Sequence, residues 1–221
     1  MTHGWAARQD GNSRMSHAVP KKFTPLPRKF YQPSADVVAL QLLGHWLIRR
    51  TKTGFAGGPI VETEAYLRAD PACHGYPGCT ERNRPMWGPP GFSYVYFIYG
   101  NHFCFNAVCE SPGIAEAVLV RALEPTFGAD LMQKNRPTDA LVKLSNGPAK
   151  LCQALEIDRR LNAIDLCLSS SPVFIARNAT RKKFLEDRGP VVTTTRVGIS
   201  RAADLPLRFF LPGSPFVSRR L

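Results

Sequence analysis

No apolar run in the sequence approaches the roughly 18 residues a membrane-spanning helix needs, so no membrane partner is expected. The first twenty residues lack the apolar stretch of a secretory leader, because Arg8, Asp10 and Arg14 interrupt it. A cytoplasmic protein is the expectation (at the nucleoid in a bacterium, nuclear in a eukaryote). Acid is scarce: 17 Asp and Glu stand against 29 Lys and Arg in 221 residues, leaving a net charge of +12. That imbalance favours anionic partners and says nothing about fold. None of the six cysteines forms a CxxC pair, and in a reducing compartment they remain thiols. Cys73-His74 with Cys79 could supply half a zinc site, but no second pair has ligand spacing, so neither metal nor cofactor is expected. Lysine is missing between Lys52 and Lys134, and the chain shows neither an internal repeat nor a clear linker.

What is present begins with Phe92–Glu110, FSYVYFIYGNHFCFNAVCE. Phe92–Tyr99 and Phe103–Val108 are rich in aromatic and β-branched residues, and Gly100-Asn101 between them suits a hairpin turn. Tyr99 and His102 flank that turn, where small or charged residues are usual. A rigid hairpin tipped with rings in a basic chain suits a wedge driven into a stacked polyanion. Taken alone, the same tyrosines, Tyr94, Tyr96 and Tyr99, read more simply as ordinary strand and core aromatics.

Met1 to about Pro20 is polar and without period, a disordered tail, with one domain over residues 21–221. A helix is expected from the N-cap Ser34 to a stop at Gly44. Trp46–Thr51 reads as a strand, Gly54–Gly58 as a turn and Pro59–Leu67 as a second strand. Arg68–Gly91 is a proline- and glycine-rich loop carrying Arg82 and Arg84; a loop of that length is usually functional or disordered. Glu116–Leu123 is a further strand, and Thr126–Asn135 and Pro148–Leu155 are short helices. Ser145-Asn146 are read as capping the second helix, with Pro148 at its first position. Pro172–Ala176, Val191–Gly198 and Leu207–Leu211 close the chain as strands. With 44% hydrophobic residues the chain can fill a core. The expected fold is one mixed α/β domain of the α+β type: a curved, mainly antiparallel sheet with flanking short helices and a protruding hairpin.

Strand periodicity puts Glu62, Glu64 and Tyr66 of IVETEAYL on one face and Val61, Thr63 and Ala65 on the other. One acid is expected to pair with arginines of neighbouring strands. The other, beside an aromatic ring at a basic cleft, suits a general base for water. The Ser145–Lys150 turn is either a phosphate contact or simply a well-capped surface helix.

Several ordered motifs together resemble the alkyladenine (methylpurine) DNA glycosylase family. They are IVETEAYL, His74, Arg82-Asn83-Arg84, YVYFIYG at Tyr94–Gly100, Asn106, VRALEP at Val120–Pro125, NGPAKLCQAL at Asn146–Leu155, RVG at Arg196–Gly198, LRFF and GSPFVS. The likeness runs from about Phe23 to Ser218. It implies a monomeric, monofunctional enzyme that flips alkylated or deaminated purines out of duplex DNA and hydrolyses the N-glycosidic bond with an activated water. On this resemblance Glu64 is the base, and Arg121 supports it and the flipped nucleotide. Tyr66, His74 and Tyr96 line the base pocket, Asn106 screens against the guanine amino group, and Tyr99 fills the vacated space in the duplex. Arg82, Arg84, His102 and Lys150 meet the DNA backbone. Two departures stand out: His102 occupies a tip position usually held by tyrosine, and Arg68-Ala69-Asp70-Pro71 replaces the usual Gly-Pro-Glu-Asp stretch.

Hairpin register offers a separate check. A two-residue Gly100-Asn101 loop pairs Tyr96 with Phe105 and turns Asn106 away; an odd loop, Gly100–His102, pairs Tyr96 with Asn106 in one pocket, and the odd loop or an equivalent bulge is expected. The competing reading is a non-catalytic duplex-binding module on the same fold. A bifunctional glycosylase/lyase would need an amine nucleophile, which the lysine-free pocket motifs do not supply.

Overall fold

The structure, a computed structural model, describes residues 22–98, 100 and 102–219. The tail over residues 1–20 and the ring of Tyr99 therefore lie outside the described residues. Eight strands form an antiparallel sheet: β1 (Trp46–Thr51), β2 (Gly54–Tyr66), β3 (Ser93–Ile98), β4 (His102–Cys109), β5 (Glu116–Leu123), β6 (Val173–Ala176), β7 (Val192–Thr194) and β8 (Arg208–Phe210). The main path runs β3-β4-β5-β2-β1-β6, and β8 pairs with both β2 and β7. Among the described residues four α-helices flank it: α1 (Ala35–Leu42), α2 (Ala129–Asn135), α3 (Pro148–Ala154) and α4 (Arg181–Arg188). The mixed α/β architecture with short helices and an antiparallel sheet is the one expected.

β2 is the spine. Its first half pairs with β1, from Gly54 opposite Thr51 to Pro59 opposite Trp46. Its second half lies between β5 and β8. Gly54–Gly58, expected as a turn, is instead the start of this strand. Two glycines explain why: a Cβ at Gly57 would sit 2.0 Å from the Leu47 carbonyl oxygen, and one at Gly58 would sit 1.8 Å from that of Glu124. What reads as loop composition is close backbone approach.

Alternation along β2 sends Val61 and Ala65 into the main core, and Thr63 Oγ1 donates to the Ala39 carbonyl of α1 at 3.0 Å. The opposite face carries Glu62, Glu64 and Tyr66. Against β5 the register shifts on both sides of Glu62, a bulge-like irregularity at the point where Arg121 leaves the neighbouring strand.

The hairpin pairs Ile98 with His102, Tyr96 with Cys104 and Tyr94 with Asn106. The loop is odd-numbered, as expected, but it spans residues 99–101, so each pairing falls two residues from the expected one. Parity survives the shift, and Tyr94, Tyr96, Cys104 and Asn106 share one face.

Two local expectations, both helix caps, fail, and one helix is unforeseen. Ser34 Oγ donates to Asp36 at 2.5 Å and does not cap α1; the buried Glu116 carboxylate accepts the Ala35 amide at 2.9 Å instead. Ser145 and Asn146 do not cap α3, whose N-cap is Gly147; Ser145 donates to the Leu123 carbonyl and Asn146 accepts from Lys150 Nζ at 2.9 Å. α4 has no buried residue and was not anticipated. It is fixed by a bidentate Arg188–Glu124 pair at 2.7 and 2.9 Å and by Arg181 donating to the Leu43 carbonyl.

Candidate active site

Beneath the root of the hairpin, the side of the sheet away from the main core carries a second apolar cluster. Cys73, Met86, Tyr94, Val108, Ala115 and Ala117 form it, with Tyr66, Trp87 and Tyr96 packed against it. A cavity of about 110 Å³ opens there, walled by Tyr66, His74, Tyr94, Tyr96 and Asn106, with Met86 and Ile199 among the other lining residues. A closed cavity of about 150 Å³ accommodates a benzene ring. The space is therefore on the scale of part of a purine, and admitting a whole one requires its wall to give.

His74 meets Tyr96 edge-on with ring centroids 4.5 Å apart, and its Nδ1 lies 2.9 Å from the Tyr94 hydroxyl. Burial, with Arg82 adding repulsion, holds the His74 imidazole below its ordinary pKa, so the neutral ring is favoured. Burial pushes the Tyr94 phenol up to about 12. Asn106 Nδ2 donates to the Tyr94 carbonyl at 3.0 Å, which leaves its amide oxygen free for the cavity.

Glu64 is not part of the cavity wall. Its carboxylate is fully buried one layer beneath, joined to the cavity through Tyr66, whose hydroxyl donates to Oε2 at 2.9 Å. Oε1 accepts the Val197 amide at 2.8 Å and lies 3.1 Å from Arg121 Nη1. Burial and the Glu64 carboxylate together drive the Tyr66 phenol far above its ordinary pKa, so it remains a donor.

Arg121 spans both acids. Its Nε donates to Glu62 Oε1 at 2.8 Å while Nη2 donates to Ser218 Oγ at 3.1 Å. Burial disfavours the guanidinium charge, but Glu64 and Glu62 outweigh that and raise its pKa. Glu62 is the acid held structurally: it also accepts from Arg208 Nε at 2.8 Å and from the Ser218 amide at 2.6 Å. Two carboxylates and two guanidiniums form a charge-balanced buried quartet.

Arg82, Arg84, His102 and Lys150 are not among the residues that line the cavity. Arg82 Nη2 donates to the Phe97 carbonyl at 3.1 Å, and Arg84 pairs with Glu81 in solvent. Between them the buried Asn83 organises the loop, donating to the His74 and Gly78 carbonyls at 2.7 and 2.9 Å. His102 lies on a different groove, bordered by Phe103 and α3. Lys150 lies beyond that groove, bonded to Asn146. Sequence reasoning missed the Val197 amide and the Asp70–Arg196 pair, in which Val197 and Arg196 reach the site from far along the chain. Among the described residues no group of three or more His, Cys, Asp or Glu could hold a metal, and no helix is long and apolar enough to cross a membrane.

The profile of the methylpurine-DNA glycosylase family matches residues 29–215. The chain belongs to that family. It is accordingly a DNA glycosylase, a hydrolase of N-glycosyl bonds. A protein of Methanoculleus marisnigri named "Putative 3-methyladenine DNA glycosylase" is 51% identical over 195 residues, 88% of this chain and 99% of its own length. Proteins of the same name from Carboxydothermus hydrogenoformans and Rhodopseudomonas palustris are 46% and 45% identical. They cover 88% and 94% of this chain, and 99% and 97% of their own lengths.

Proposed function

We propose that this glycosylase extrudes alkylated or deaminated purines, 3-methyladenine among them, from duplex DNA and hydrolyses the bond to the sugar with a water activated by Glu64. The carrying observation is the carboxylate immediately behind an aromatic cavity, with Oε1 fixed by Arg121 and the Val197 amide and Oε2 directed toward the cavity by Tyr66. A water that takes the place of the Tyr66 hydroxyl on Oε2 comes under the control of a base that cannot rotate.

The chemistry asks little more. A stacked base shields its own sugar carbon, so the nucleotide must rotate out at a cost of a few kcal/mol. A ring inserted in its place offsets part of the lost stacking, the role proposed for Tyr99. An alkylated purine is already cationic and leaves readily. What remains is to present water opposite the leaving base and to stabilise the positive charge developing on the sugar, and one carboxylate can do both. Tyr66 on one side and Tyr96 with His74 on the other would hold the base, since aromatic faces attract cations. Asn106, at the cavity wall, would screen against the guanine amino group by its bulk. Arg82, Arg84, His102 and Lys150 would meet phosphates.

Single-turnover base release by Glu64→Gln is the test. Release should fall at least a thousandfold while duplex binding persists; release at the parent rate would end the assignment. Borohydride trapping of a covalent adduct would replace water with an amine nucleophile and overturn the monofunctional part.

A further inference from the structure

Behind Tyr66 lies a second buried ion pair that the mechanism does not use. The Arg196 guanidinium sits over the Tyr66 ring, 4.7 Å from its centroid, and is not among the residues lining the cavity. It therefore caps the ring face turned away from the incoming base. Its Nη1 donates to the Ala65 carbonyl at 3.0 Å, and both terminal nitrogens meet Asp70, with Nη2 to Oδ1 at 3.0 Å. The two side chains are 0% and 1% exposed. Asp70 also accepts the Ala72 amide at 2.9 Å, so it is fixed by the loop that replaces the family's usual Gly-Pro-Glu-Asp stretch.

A tyrosine ring attracts cations through both faces because its quadrupole is negative above and below. An uncompensated guanidinium behind the ring would oppose a cationic base on the front, at a separation of about 8 Å once a stacking distance is added. Asp70 cancels that charge and leaves only a short dipole. We propose that the Asp70–Arg196 pair sets how strongly the pocket prefers cationic purines over neutral ones, by controlling the charge behind the stacking wall. The inference rests on Tyr66 being that wall.

The test compares single-turnover release of 3-methyladenine, cationic as the nucleoside, from methylated duplex with release of neutral hypoxanthine from a duplex holding one lesion. Asp70→Asn, which leaves Arg196 charged, should lower the cationic-to-neutral ratio about tenfold, equivalent to ~1.4 kcal/mol. Arg196→Met at pH 8, which leaves the carboxylate behind the ring, should move the ratio the opposite way. Removing both charges should return it to within about threefold of the parent. A merely structural pair would slow both lesions by the same factor and leave the ratio unchanged; that result, in whichever single variants fold, overturns the proposal. Parent-like release of both bases by Tyr66→Leu would instead refute the pocket reading beneath it.

Discussion

Replacing Glu62 with glutamine perturbs the quartet at its centre while keeping side-chain volume. The carboxylate is fully buried and accepts four hydrogen bonds, from Arg121, Arg208 and both the amide and hydroxyl of Ser218. Glutamine offers one acceptor oxygen and must direct an NH2 group at donors. It also leaves two guanidiniums facing the single charge of Glu64. Breaking a buried pair on one side costs about 3–5 kcal/mol. In a chain of this size each kcal/mol moves the melting temperature by about 2–4 °C, so Glu62→Gln should melt roughly 6–20 °C lower at pH 7. Circular dichroism melts read this directly. Glu62→Met with Arg208→Met restores charge balance around the Arg121–Glu64 pair and should recover part of the loss. A drop worth less than about 1 kcal/mol in Glu62→Gln, or a double variant weaker than the sum of its parts, would refute the reasoning. The same cluster predicts an acid limit. Burial alone would raise the Glu62 pKa, but Arg121, the Ser218 amide and Arg208 outweigh it and hold the group below its ordinary 4.5. Its contribution is therefore complete above about pH 4.5 and is lost as pH falls through the depressed value.

His45 gives a second pH dependence with a different window. Burial, with Arg181 and Arg177 adding repulsion, lowers it to about 4, so the unfolded chain takes up a proton near 6.5 that the folded chain refuses. Stability should fall from pH 6.5 towards 4, by about 2 kcal/mol at pH 5, and His45→Asn should flatten that limb in urea titrations. Gly58→Ala forces a methyl into the Glu124 carbonyl and should cost 3 kcal/mol or more at the chemical-denaturation midpoint, whereas Gly100→Ala meets nothing within 4 Å, so any cost there comes from its φ of +74°. Arg82→Ala should flatten the log–log salt dependence of duplex affinity by about one unit, which titrations between 50 and 200 mM salt can measure.

Legibility in the sequence followed the range of the forces involved. Glu116–Leu123 matches β5 because a strand paired on both edges is announced by its own composition. The shared face of Glu64 and Tyr66 follows from period two alone, and the shared face of Tyr96 and Asn106 from the parity of one loop. What failed depended on partners distant in sequence. Glu116 replaces Ser34 at the start of α1 from 81 residues away. α4 has only Phe184 and Leu185 as apolar residues, a pair too short to set a helical period, and it is fixed by their packing on the core together with Arg188–Glu124 and Arg181–Leu43. At the site, Asp70 and Arg196 are separated by 126 residues. In the sequence one belongs to the Arg68–Pro71 stretch and the other to the RVG motif; only the fold shows them paired, with Arg196 over the Tyr66 ring.

The second half of β2 is hydrogen-bonded along both edges, to β5 on one side and β8 on the other. The backbone bearing Glu64 consequently has no freedom to follow a substrate of unusual shape. Any adjustment to a bulkier lesion falls to the irregular segment from Arg68 to Gly91 and to Ile199, which complete the cavity without belonging to its strands. On the proposed function, tolerance of bulk at the cavity margin is thus separable from the strand that bears Glu64. If the proposed function holds, an engineer could change the size of base admitted by rebuilding that margin while the Glu64 strand stays as it is.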